Sequence, residues 1–273
     1  MKKIHLILSL FTLLFFYSCE EVVQVDLDTA PPKLVIEATI KWQKGTTGKE
    51  QKIKLTTTAS FYSTQIPTVS GAIITVQNSS NTNFNFREVA GTGEYICTNF
   101  IPKIDETYTL NVKHNGETYT ATETLKSVAP IEKIEQKNDG GFTGKNIQIK
   151  TYFTDPPLVT NYYLYQYTYT DQITQTFYGD VDTYFQGNQF FSLSQNDDLK
   201  AGDEVKIVHY GVSKSYYNYM NILISIAGGG SGGPFQSPPA TVRGNVINNT
   251  NKSNYPLGYF ALCEIDSRTY LVQ

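Results

Sequence analysis

Among the seven aspartates between residues 155 and 203, the candidates are Asp155, Asp180, Asp182, Asp197, Asp198 and Asp203. Two of them converging on a cleft could divide acid and base work between them, as a glycosidase does, and such a pair needs no local motif. The same residues sit beside glycine, proline and asparagine, where a short carboxylate organises a turn. The acids of "DVD" at 180–182 and "NDD" at 196–198 lack the rest of an EF-hand loop. HExxH, P-loop and CxxC signatures do not occur. Of three histidines, His5 lies in the first apolar segment and His114 beside the Asn115-Gly116 turn, where it reads as solvated. No catalytic residue, metal ligand or cofactor is assigned, and the chain reads as non-enzymatic.

Aromatic residues offer a different chemistry. In "NYYLYQYTYT" the rings of Tyr163, Tyr165, Tyr167 and Tyr169 fall on one face of a strand, because side chains alternate along it. They could stack against a sugar, a peptide or another flat ligand, or pack a sheet, since tyrosine favours strands and cross-strand ring pairs stabilise them. Phe177, Tyr178, Tyr184, Phe185, Phe190 and Phe191 follow among glycines and polar residues. With the tyrosine row, Phe177, Tyr178, Tyr184 and Phe185 form the candidate contact surface for a glycan, a peptide or another protein; a loop folded onto its own rings is the other reading.

Elements that would position this surface begin with an address. "MKK" followed by an apolar run to Tyr17 and Ser18 reads as a secretory signal over 1–18, too short to span a bilayer. "FFYSC" resembles the relaxed lipobox of Bacteroidetes lipoproteins, with Phe16 and Tyr17 departing from the usual residues, which makes Cys19 the acylated anchor. Acyl chains, palmitate included, hold by about 0.8 kcal/mol per buried methylene. Glu20 and Glu21 resemble a surface-export signal, so the expected place is the outer membrane facing outward, with the periplasmic face as the alternative. Asp28-Thr29-Ala30 resembles an O-glycosylation acceptor. Loss of Lys2 and Lys3 with the signal moves the net charge from −3 to −5, a balance that disfavours nucleic acid and anionic lipid as partners. Cys97 and Cys263 are the two other cysteines; they either pair or stay buried thiols.

Residues 19–33 read as a tether stiffened by Pro31 and Pro32. From 34 to 128, alternating runs such as "KLVIEATIKW", with Leu34, Ile36, Ala38 and Ile40 on one face, predict an immunoglobulin- or fibronectin-like β-sandwich. Asn115-Gly116 between two such runs predicts a type I′ hairpin. The charged stretch "IEKIEQKNDGGFTGK" marks the exit into a second β-rich domain over 129–273. One helix is expected there near 213–227, capped by Ser213 or Ser215, with Tyr216, Tyr219, Met220, Leu223, Ile224 and Ala227 on one stripe. Gly228–Gly233 would stop it and form a loop before closing strands that include "YPLGYFALCEI".

The entry "VDL" with "P-K-LVIEA", the tyrosine-rich helix and the close "PFQSPPATVRGNV…LGYF" together resemble the DUF4249 family of Bacteroidetes outer-membrane lipoproteins. That resemblance implies a surface lipoprotein working with a TonB-dependent β-barrel transporter in nutrient capture, and it transfers no catalytic residue. A structural, envelope-assembly or adhesion lipoprotein is the alternative, and a carboxylate hydrolase a further one.

Overall fold

A computed structural model describes residues 31–60, 63–141, 144–170, 175–194, 196–227 and 242–273. The signal segment, Cys19, Thr29, most of the 19–33 tether and the loop at 228–241 lie outside the described residues. Within this range the chain is almost all β.

The first seven strands are β1 (Leu34–Gln43), β2 (Gln51–Thr57), β3 (Ile73–Asn78), β4 (Asn83–Val89), β5 (Glu94–Cys97), β6 (Thr107–His114) and β7 (Glu117–Thr124). Their alternation is the one expected: Ile36, Ala38 and Ile40 are buried while Glu37 and Lys41 face out. Neighbours follow the order β1-β2-β5-β4-β3-β6-β7. Strand β4 joins the two halves of this sandwich, because Asn83–Phe86 pair with β3 and Arg87–Val89 pair with β5. Between the halves lies one apolar cluster with Ile53, Val76, Phe84, Phe100, Leu110 and Val112 at its centre. Asn115 and Gly116 both adopt positive φ, 48° and 77°, as the type I′ turn requires.

Beyond residue 128 come β8 (Lys133–Gly140), β9 (Asn146–Thr154), β10 (Tyr162–Tyr169), β11 (Thr176–Val181), β12 (Gln189–Leu193), β13 (Glu204–Val212), α1 (Lys214–Ala227), β14 (Ile247–Asn248) and β15 (Leu257–Leu271). The charged stretch that marks the exit from the sandwich forms strand β8, paired with β9; its polar residues suit an edge with little buried surface. Helix α1 starts where expected, with the Ser213 hydroxyl accepting the Tyr216 N–H at 3.2 Å. It covers one face of β10, β13 and β15 through Tyr216, Tyr219 and Met220. The small sheet β12-β9-β8 covers the other face through Ile149 and Phe153.

Strand β15 ties the two cores into one unit spanning Pro32–Gln273. It pairs parallel with β1 from Val35↔Leu257 to Gln43↔Ile265, and antiparallel with β13 from Tyr210↔Ile265 to Glu204↔Leu271. Phe260 and Leu262 enter the sandwich core, while Tyr259, Ala261 and Cys263 face α1. At the start of this joint Gly258 has φ of +90°, and a Cβ there would stand 2.2 Å from the Ile36 carbonyl oxygen. Only glycine permits that approach. Cys97 and Cys263 are free, buried thiols in separate clusters, and burial pushes the Cys263 thiol up to about 12.

Candidate functional site

Tyr163, Tyr165, Tyr167 and Tyr169 do share one face of β10, but that face is inside. None is more than 4% exposed. β10 lies between β11 and β13 in the sheet, with α1 on one side and β9 and β12 on the other, so the row cannot act as an open stacking platform. Its rings pack around Phe153 and His209: Phe153 lies 5.1 Å from Tyr163, and Tyr165 stacks on His209 at 5.0 Å. Their hydroxyls are largely satisfied inside, Tyr167 by Ser192 at 2.6 Å and Tyr163 by Asp155 at 2.6 Å. The Tyr165 hydroxyl has no partner among the described residues, and burial raises its pKa well above the ordinary phenol. His209 is wholly enclosed, and burial holds its pKa down at about 3, opposed by the Ala129 backbone. It is a neutral core residue.

The remaining candidates separate. Phe185 is buried and stacked flat on Phe190, with centroids 3.9 Å apart. Phe177 and Tyr178 are half-buried, Tyr178 lying edge-on to Tyr167. Tyr184 alone of the eight stands open, 96% exposed on a single 3₁₀ turn at Asp182–Tyr184.

The carboxylates explain why Tyr184 is held there. Asp155 and Asp182 are each 1% exposed and both bind Asn161. One Asp155 oxygen accepts the Tyr163 hydroxyl and the Asn161 amide, and the other accepts the Gly187 N–H at 3.0 Å. Asp182 accepts the Asn161 N–H at 2.7 Å. Backbone bonds from Asp155 N–H to Asn188 and from Asp182 N–H to Asn161 close the same knot. The two acids therefore converge, but on the protein's own loops, as turn organisers with charge-assisted bonds. Asp180 is half-buried beside the tyrosine face, and burial raises its pKa. Asp203 caps the Lys200 turn by accepting its N–H, and Asp197 and Asp198 are exposed in the preceding turn.

Above this knot the 155–161 and 182–188 loops present Leu158 at 93% exposure and Val159 at 59%, together with Tyr184. Leu158 also has φ of +70°, a left-handed conformation costing an L-residue roughly 1–2 kcal/mol. A strained, solvated leucine on rigid support is a feature without a folding benefit. In the sequence this apolar pair directly follows the turn formers Asp155-Pro156-Pro157. Elsewhere, the roomiest groove described, about 570 Å³, runs over the outer face of β1, β2 and β5. Its charges offset one another, with Lys52 bonded to Glu94 at 2.8 Å and Glu37 opposite Lys54.

Among solved structures, a two-fibronectin type-III segment from chicken tenascin matches at 12% identity, covering 66% of this chain and 90% of that one, with a TM-score of 0.22. A maltotriose-bound pullulanase from Anoxybacillus sp. LM18-11 matches at 11% identity over 64% of this chain and 24% of that one, also at 0.22. Superposition this low says nothing of activity. No curated protein matches the chain. The profile described as "Domain of unknown function (DUF4249)" matches residues 20–269, nearly the whole length, and the chain belongs to that family.

Proposed function

We propose that this protein is a Bacteroidetes outer-membrane lipoprotein, anchored by acylated Cys19 and facing outward, that serves as a non-enzymatic accessory to a TonB-dependent transporter in nutrient capture. Its contact point is the apolar tip of Leu158, Val159 and Tyr184. What supports the tip is its construction: three exposed apolar side chains on loops braced from beneath by buried Asp155 and Asp182. A tyrosine is a usual interface anchor, and on a preorganised base little ordering entropy remains to be lost on binding. The "FFYSC" sequence and the acidic pair after it support the address.

Affinity capture from native outer membrane is the test. A β-barrel transporter should come down with the wild-type chain and be lost with Tyr184→Ala; capture without any β-barrel protein would overturn the docking. Burial of the tyrosine row favours a second reading, an adhesion or envelope-assembly lipoprotein with no small ligand, because the aromatic residues best suited to a glycan or peptide are spent on the core.

A further inference from the structure

The molecule's net acidity conceals one cationic end. Lys33, just before β1, places its ammonium 3.8 Å from the centroid of the Tyr255 ring, and the guanidinium of Arg243 lies 3.7 Å from the same centroid. Two groups that close to one ring cannot share a face, so the ring is held between them. The ring quadrupole attracts both cations without neutralising either. No carboxylate lies within ion-pair distance of Lys33 or Arg243 among the described residues, whereas Lys44, Lys52, Lys126 and Arg268 are each paired with an acid. The acid nearby, Glu117, accepts the Tyr119 hydroxyl and the Asn254 amide, which hold it in place and favour its charged form.

We infer that Lys33 and Arg243, braced by Tyr255, form a site for the phosphate groups of an anionic lipid surface. Lys33 stands next to the segment leading back to Cys19, and fourteen residues of chain reach at most about 50 Å. Anchorage at Cys19 would thus keep this end within reach of headgroups; the inference uses the proposed anchor for orientation alone. Two fixed cations, each contributing about five-fold in affinity, would set how the body stands on the membrane.

The test uses the full chain carrying Cys19→Ser, which removes acylation and so separates this site from the anchor. Co-sedimentation with vesicles of phosphatidylglycerol and phosphatidylcholine should exceed that with phosphatidylcholine alone and weaken with salt. Lys33→Gln and Arg243→Gln should each lower it about five-fold, with unchanged thermal melting. Equal binding to both vesicles, no binding, or indifference to the two substitutions would overturn the inference. Competition by inorganic phosphate at matched ionic strength would assign a free-anion site instead. Binding that emerges only after Glu20, Glu21, Asp26 and Asp28 are made neutral would assign the cations to that acidic stretch.

Discussion

The core inside β1–β7 and the core between β10, β13 and the β12-β9-β8 sheet bury their surface by different means. In the first, aliphatic side chains and phenylalanines interdigitate, and Tyr95 and Tyr108 lie where their hydroxyls reach backbone, at Val69 and Ile101. In the second, tyrosines, a neutral histidine and two nearby carboxylates are buried together. The difference is one of layers. A sandwich strand has one dry face and one wet face, so polarity is pushed outward. Strand β10 has two dry faces, so its polar atoms must be matched internally or carried at a cost.

The joint between these cores is the place to break the comparison most severely. Gly258→Ala should cost at least about 3 kcal/mol, since its Cβ would collide with the Ile36 backbone rather than a movable side chain. Urea unfolding should show both cores failing together; two separated transitions would mean that β15 does not couple them. Asp155→Ala comes next, at about 2–3 kcal/mol, because it strands the Tyr163 hydroxyl and the Gly187 N–H. Near-UV circular dichroism should register it in the tyrosine-rich core.

His209 sharpens the contrast through pH. Its folded pKa of about 3 lies below the ordinary 6.5, so the unfolded chain takes up a proton that the folded chain refuses. Stability is therefore lost as pH falls through 6.5 toward 3, and the shift from pH 7 to pH 5 should cost about 2 kcal/mol. His209→Phe should remove that slope, read as the difference between urea midpoints at the two pH values; an unchanged slope would place the proton elsewhere. The smallest effect belongs to the loop tip. Leu158→Gly should raise stability by about 0.5–1 kcal/mol, by relieving the left-handed strain, while transporter capture falls. A loss of stability instead would make Leu158 a folding residue.

The sandwich was legible because alternation reports a single dry face: Ile36, Ala38 and Ile40 against Glu37 and Lys41. Asn115-Gly116 and the Ser213 cap were legible because backbone geometry selects those residue types locally. The tyrosine row was seen, but its direction was not, since period two says which residues share a face and nothing of what covers it. Asp155 and Asp182 read as turn acids and proved to be so, yet their convergence on Asn161 joins segments about twenty residues apart. The cationic end escaped for a similar reason, as net charge averages over a surface and Lys33 and Arg243 are distant in the chain.

By itself, then, the sequence determined the fold class, the hairpin, the helix and its cap, and the family, all of which follow from local periodicity and short-range chemistry. Tertiary structure decided which of the eight candidate aromatic residues are core and that Tyr184 stands open, what the carboxylates hold, and which cations meet at Tyr255. Those depend on β15 lying between β1 and β13, a pairing across more than two hundred residues that no local pattern encodes.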